Sequence, residues 1–243
     1  MRYILHRCND AARLQQGMDD PAIDGIEVDF YFKDGHVRIG HDSSDVGHID
    51  SMPVQSLERY WRDTSKILVV DIKNAGAFRH WTSDEGIAIL KIVHVNLPLQ
   101  VPVFVTGITH DWIPLVRQTI DTWQGRQVTY FVDAYSLHLC KKKFHQPGIR
   151  FGLNLGYPVS LAKKLLTDVV PSILEKNDRT ANLGRGIKNA FRPLTDFELD
   201  AWNHADVKMA WTITSDEILQ EILKLDPDYI IVEELPENEH LGQ

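Results

Sequence analysis

Two cysteines, Cys8 and Cys140, are all that the 243 residues contain. Two are too few for a disulfide framework. Cys8 falls near the end of the first expected strand and Cys140 on a later expected helix, so they read as separate reduced thiols of a cytosolic protein. Long apolar runs are also missing. The first residues, Met-Arg-Tyr-Ile-Leu-His-Arg, break off after three apolar side chains, too short for a signal peptide. No stretch approaches the roughly 18 apolar residues of a membrane span, and neither end carries a lipidation signal. The expectation is a cytoplasmic protein without a permanent membrane anchor. Basic residues are in deficit too: 26 Lys and Arg against 34 Asp and Glu leave a formal net charge of −8. A nucleic-acid surface needs a basic face to neutralise phosphates, so that partner class is excluded. A small phosphate ester is not, because a bound metal cation inverts the local field.

What is present is ordinary for a folded domain: 43% apolar and 25% charged residues, in a length that α/β barrels of about 250 residues fill as one unit. Short β-branched runs alternate with segments of helical periodicity, the rhythm of βαβ units and a parallel sheet. The expected strands are Tyr3–His6, Gly25–Tyr31, Ile67–Lys73, Val101–Thr106, Gln127–Asp133, Ile149–Leu155, Lys208–Ile213 and Asp228–Glu233. Gly186–Phe191 is a weaker ninth. Eight or nine strands with intervening helices fit a closed barrel better than an open sheet. Thr82 with Glu85, Thr195 with Glu198, and Thr214 with Glu217 form capping boxes that open helices. Asp34-Gly35 marks a hairpin between Glu27–Phe32 and His36–Gly40. Asn182–Gly186 reads as a loop near the active face or, by preference, a simple connector.

Alternation along the strands singles out the chemistry. In Gly25–Phe30, Ile26, Val28 and Phe30 share the helix-packing face, so Glu27 and Asp29 face the barrel interior together. In Ile67–Lys73, Leu68, Val70 and Ile72 share one face, and Val69, Asp71 and Lys73 the other. Two adjacent carboxylates in a core strand are costly unless a cation compensates them. That cation is either a metal or a Lys or Arg at the barrel mouth. Three inward carboxylates on neighbouring strands make a hard oxygen site, suited to Mg²⁺ or Ca²⁺ rather than zinc. Lys73 would bind phosphate there or balance the acids. His6 and His41 stand at the C-terminal ends of strand segments, where barrel enzymes place catalytic groups. Two imidazoles beside a metal suit phosphodiester cleavage, one removing and one supplying a proton.

These residues resemble the glycerophosphodiester phosphodiesterase family, within the phospholipase C-like barrels that also include sphingomyelinase D. The family pattern of His-Arg, Glu-x-Asp, Lys-Asp-Gly and His-Asp is matched in order by His6-Arg7, Glu27-Val28-Asp29, Lys33-Asp34-Gly35 and His41-Asp42. Trp211-Thr212-Ile213 and Pro227-Asp228-Tyr229-Ile230-Ile231 resemble the family's late strands. Cys8 replaces a Gly usual in the first motif. Asp71 stands where the glycerophosphodiester branch has Glu, which is the sphingomyelinase D usage. The short stretch between His41 and Asp71 leaves no room for the family's inserted subdomain.

The resemblance implies a single-domain (β/α)₈ TIM barrel without that insertion. It implies a phosphoric diester hydrolase with Glu27, Asp29 and Asp71 on a divalent metal and His6 and His41 as the acid–base pair. Arg7 and Lys73 would bind the phosphate, and Trp211 would line the pocket. The expected substrate is a small diester, a glycerophosphodiester or a lysophospholipid. Its own neighbouring hydroxyl would attack phosphorus and give a cyclic phosphate, or water would attack directly. The alternatives are a catalytically silent barrel that binds a phosphorylated ligand or partner, and an unrelated metal hydrolase, which the missing His-x-His zinc pattern discourages. Trp61, Trp81 and Trp112 read as a lipid-facing lip or as packing residues.

Overall fold

The computed structural model describes residues 1–33, 36–41, 54, 57–61, 64–73, 83–95, 100–108, 112–120, 127–132, 149–154, 180–184, 196–213 and 215–235. Within these, the strands are β1 (Arg2–Leu5), β2 (Gly25–Lys33), β3 (His36–Ile39), β4 (Ile67–Ile72), β5 (Val103–Thr106), β6 (Val128–Val132), β7 (Ile149–Asn154), β8 (Thr180–Gly184), β9 (Val207–Ile213) and β10 (Tyr229–Val232). The helices are α1 (Ala11–Asp19), α2 (Leu57–Trp61), α3 (Ser83–Val95), α4 (Trp112–Ile120), α5 (Asp196–Asn203) and α6 (Asp216–Leu223).

All strands except β3 run parallel, each beside its neighbour in the order β1-β10-β9-β8-β7-β6-β5-β4-β2. Additional β1–β2 pairing joins the two ends, through Ile4 opposite Gly25 and Leu5 opposite Ile26. The result is a TIM-barrel-like α/β fold, a parallel sheet curled onto itself with helices outside. The described ring passes through nine parallel strands, one more than a (β/α)₈ barrel. The eight principal strands expected from the sequence all form, with bounds within two residues of those expected. The extra one is β8, in a segment that reads as a connector. Asn and Gly discourage strands by side-chain propensity, but β8 is held by its backbone. It pairs with β9 from Thr180 opposite Val207 to Gly184 opposite Trp211, and with β7 on its other side. Position in the sheet overrides propensity here. The weaker candidate Gly186–Phe191 lies outside the described residues.

The period-two alternation sorts side chains into two layers. Ile4, Val69, Phe104, Phe131, Met209 and Ile231 meet in the lumen, where the rings of Phe104 and Phe131 stack with centroids 5.8 Å apart. Ile26, Val28, Phe30, Leu68, Val70 and Ile72 face outward, in one core with Leu14 of α1, Leu90 of α3, Trp112 of α4 and Leu219 of α6. The faces expected for β2 and β4 are therefore the observed ones. β4 is buried at every position, as a parallel strand covered on both sides must be.

Local signals set the helix starts. Asp10 caps α1, its carboxylate accepting from the Arg13 N–H at 2.8 Å. Ser215, rather than the expected Thr214, is the N-cap of α6 and accepts from the Ile218 N–H. α3 begins at Ser83 and α5 at Asp196, one residue after the expected caps Thr82 and Thr195, which lie outside the described residues, as does Thr214. β3 pairs antiparallel with β2, Phe30 opposite Ile39 and Lys33 opposite His36, so the two arms of the expected hairpin pair, while Asp34 and Gly35 lie outside the described residues. Trp61 and Trp112 are fully buried and are packing residues, not a lip. Trp81 and Cys140 lie outside the described residues, and Cys8 is a buried free thiol. Among the described residues, no helix is long and apolar enough to cross a membrane.

Gly25 sits where the ring closes. A Cβ there would lie 2.9 Å from both the Cβ and the carbonyl oxygen of Ile67 and 3.2 Å from Ile4. Backbone cannot yield as a flexible side chain can. Gly25→Ala is expected to lower the unfolding free energy by about 1–3 kcal/mol through overpacking, read from urea denaturation midpoints.

Candidate active site

The site is assembled where β1, β2, β4, β5 and β10 end. In-register pairing sets Asp29 opposite Asp71 and Asp71 opposite Thr106. Glu27 lies one inward position below Asp29. Glu27, Asp29 and Asp71 are all buried, and each offers an oxygen within 4.8 Å of the others. The ammonium of Lys73, next inward after Asp71, lies 2.6 Å from Asp71 Oδ2 and 2.9 Å from Asp29 Oδ1. Lys73 is thus the counter-cation that the mouth of the barrel supplies. Yet among the described residues one ammonium faces three carboxylates, which leaves two formal negative charges unbalanced.

The titration behaviour follows. Glu27 is raised well above the ordinary carboxylate range, first by burial and then by Asp29 and Asp71, which the Arg7 N–H and Lys73 only partly offset. Burial alone would lower Lys73, but Asp71 and Asp29 outweigh it and push the ammonium upward, so Lys73 remains charged. Such an acid-rich pocket could hold a hard divalent cation, since its donors are carboxylate oxygens.

The loop after β1 builds the opposite wall. Arg7 adopts φ +50°, a left-handed conformation uncommon for a residue with a side chain. It lets the Arg7 N–H donate to Glu27 Oε2 at 2.7 Å while the Cys8 N–H donates to the Glu27 carbonyl at 2.9 Å. The Arg7 side chain itself is exposed beside the site. Cys8 is wholly buried, its thiol 3.5 Å from the Leu5 carbonyl and raised by desolvation. In the place of a glycine it acts as a packing residue.

His6 is nearly buried. Its Nδ1 lies 2.7 Å from Glu233 Oε1, and its Nε2 is 3.8 Å from Glu27 Oε2, beyond hydrogen-bond reach. Burial lowers its pKa, with Glu233 pulling the other way. The Arg13 guanidinium ties this corner together. Its Nε donates to the His6 carbonyl at 2.8 Å, and a terminal nitrogen donates to the Glu233 carbonyl at 2.5 Å. The hairpin returns the chain so that the Gly40 N–H donates to the Asp29 carbonyl at 2.9 Å. His41, half-buried, is the next residue. Trp211 packs against the lumenal cluster, and its indole N–H is buried without a hydrogen-bond partner.

The structure thus brings together Glu27, Asp29, Asp71, Lys73 and His6, with Arg7 and His41 on the adjoining backbone and Trp211 in the lumen. Four more residues belong here. Glu233 was legible, since it lies two positions beyond inward-facing Ile231 at the end of the last strand. Arg13, Asn9 and Thr106 carry no comparable sequence signal. Asn9 grips Asp29, donating to Oδ2 at 2.7 Å and accepting from the Asp29 N–H at 2.9 Å. Thr106 donates to Asp71 Oδ1 at 2.9 Å.

No family model and no curated protein matches this sequence. Solved structures do match its fold. A phosphodiesterase from Oleispira antarctica, determined in complex with the product sn-glycerol-3-phosphate, superposes with a TM-score of 0.57 at 12% identity, over 96% of this chain and 93% of that one. A Silicibacter pomeroyi protein assigned as a glycerophosphoryl diester phosphodiesterase gives 0.58 at 12%, over 96% and 90%. A glycerophosphodiester phosphodiesterase from Parabacteroides distasonis gives 0.50 at 12%, over 96% and 92%. The chain has the fold of glycerophosphodiester phosphodiesterases. The similarity extends over nearly the whole of each protein.

The Glu27 shift has a measurable consequence. Folded, Glu27 keeps its proton above the ordinary glutamate value of 4.5, where an unfolded chain has released it. The folded state binds more protons across that window, so this residue's contribution to stability is lost as pH rises through the folded pKa. His6, lowered on folding, slopes the opposite way in any variant that retains it. In chelator, the melting temperature of the wild type is therefore expected to fall relative to that of Glu27→Gln as pH rises above 4.5. Differential scanning calorimetry across pH reads the difference.

Proposed function

We propose that the protein is a metal-dependent phosphoric diester hydrolase acting on a glycerophosphodiester or a related small or lysophospholipid diester. The observation that carries this reading is the buried triad Glu27, Asp29 and Asp71 at the barrel mouth, with oxygens mutually within 4.8 Å and surplus negative charge. Mg²⁺ or Ca²⁺ suits it, held by those three residues. Such a cation, when bound, supplies Lewis-acid polarisation of a phosphoryl oxygen.

The residues of the chain divide the remaining work. If the proton on Nδ1 of His6 points to Glu233, the basic lone pair is on Nε2, toward the carboxylates. Burial lowers the ring's pKa, which favours its neutral form. His6 is then the base for the attacking hydroxyl, and His41 is the acid. A substrate hydroxyl oxygen bonds to phosphorus as its proton passes to His6. The bond from phosphorus to the leaving oxygen breaks as His41 protonates that oxygen. A neighbouring hydroxyl leaves a cyclic phosphate, and water leaves a monoester. Lys73 and the exposed Arg7 hold the phosphoryl oxygens and stabilise charge that builds on them. Trp211 lines the pocket. The net charge of −8 favours a small diester over nucleic acid. The reading includes one barrel domain and cytoplasmic residence, the latter in keeping with the free thiol of Cys8.

The test is hydrolysis of bis(p-nitrophenyl) phosphate and glycerophosphocholine with Mg²⁺, with Ca²⁺ and with chelator. Turnover is expected only with metal. His6→Ala and His41→Ala are each expected to reduce kcat by about 10²–10⁴-fold, the usual worth of general acid–base groups. Metal binding without turnover of either compound would favour a silent barrel that binds a phosphorylated ligand.

A further inference from the structure

The three carboxylates do not present their oxygens equally, and the difference lies in neutral donors behind them. Asp71 Oδ1 accepts from the buried Thr106 hydroxyl at 2.9 Å. The same oxygen is walled by Gly107, at φ +77°, where an added Cβ would lie 2.7 Å from it and 2.4 Å from the Ile72 carbonyl. Only Oδ2 is left toward the centre of the site, where Lys73 meets it at 2.6 Å. Asp29 repeats the arrangement. Asn9 holds Oδ2 at 2.7 Å and also accepts from the Asp29 N–H, so its amide is locked against both side chain and backbone. Asp29 Oδ1 alone faces inward, 2.9 Å from the same ammonium.

A carboxylate on a short side chain can rotate, and rotation exchanges its two oxygens. A single donor fixed on one oxygen removes that freedom. Neutral donors do this without adding charge, whereas a second Lys or Arg would cancel the negative potential that attracts a cation. The donors themselves are immobilised by the fold. Thr106 ends β5 in register with Asp71, and Asn9 directly precedes Asp10, the N-cap of α1.

We propose that Asn9 and Thr106 are positioning residues for a divalent cation, each fixing one aspartate so that a chosen oxygen, Asp29 Oδ1 or Asp71 Oδ2, faces the ion. Neither touches substrate or cation. The inference rests on the metal reading of the triad. Groups that orient metal ligands in this way typically contribute about 10–100-fold in affinity.

The experiment is titration calorimetry of the metal-free protein with MnCl₂, MgCl₂ and CaCl₂ alone, no substrate present. It compares wild type, Thr106→Val, Thr106→Ser and Asn9→Ala, with melting temperatures in chelator alongside. Thr106→Val keeps the shape and removes the donor, while Thr106→Ser keeps the donor. A loss of about 10-fold or more in affinity is expected for Thr106→Val and for Asn9→Ala, with Thr106→Ser close to wild type. Equal affinity of wild type and Thr106→Val, or equal losses in the Val and Ser variants, would overturn the positioning role and leave the metal site standing. Wild type that binds none of the three ions would remove the metal reading and this inference together. Should Thr106→Val fail to fold, the Asn9→Ala and Thr106→Ser affinities decide it alone: unchanged affinity in Asn9→Ala overturns the proposal.

Discussion

The structure is organised around an electrostatic imbalance. Three carboxylates, Glu27, Asp29 and Asp71, are buried with oxygens within 4.8 Å of one another, and among the described residues one ammonium answers them. Burying an ionised carboxylate without a partner is among the most costly things a fold can do. A barrel core made only for stability would fill these positions with the Ile, Val and Phe that occupy the layer beneath. The imbalance is confined to the mouth, where a small ion or molecule can correct it, and the aromatic and aliphatic floor of Ile4, Phe104, Phe131 and Ile231 isolates it from below.

Much of the neighbouring architecture serves to hold that charge in place. Gly25 lets β1 and β2 close the ring, and this closure puts Glu27 beneath the loop after β1. The left-handed turn at Arg7 then aims an N–H at the Glu27 carboxylate. Through the β2–β3 pairing the Gly40 N–H reaches the Asp29 carbonyl, and His41 follows it without belonging to a barrel strand. Arg13, on the first turns of α1, reaches across to β10 and pins the loop to the end of the last strand. Helix, loop and two strands thus meet at His6, whose ring is oriented by Glu233 on the side away from the carboxylates.

Alternation by two is what made the charged site legible. It sent Glu27, Asp29, Asp71 and Lys73 inward before any contact was known, because a buried parallel strand has only two faces and one was plainly apolar. The same rule applied to the expected strand Asp228–Glu233 points Glu233 inward with Ile231. Thr106 also ends a strand facing inward, but an uncharged hydroxyl is as common in packing as in function. Asn9 and Arg13 were beyond reach for a different reason: the partners Asp29 and Glu233 stand on or just past neighbouring strands far away in sequence, and sequence separation gives no hint of that. β8 was misread because Asn and Gly advertise a turn, while the sheet on both sides of it demanded only backbone. The cap of α6 moved by one residue because Ser215 and Thr214 offer the same hydroxyl, and only geometry chooses between them.

Shared fold with phosphodiesterases at 12% identity does not by itself carry an activity, since barrels host many chemistries. The argument for function therefore returns to Glu27. Its buried carboxyl meets the imbalance either by keeping a proton or by sharing a divalent cation with Asp29 and Asp71. The two solutions exclude each other, because the proton and the cation claim the same carboxylate charge. The first makes the metal-free site self-consistent and neutralises only Glu27. The second also satisfies Asp29 and Asp71 and leaves Lys73 able to turn its ammonium toward a phosphate. On the proposed metal-dependent reading, protonation would quiet the site and cation binding would ready it for chemistry, so a single buried glutamate would couple the fold's stability to its activation.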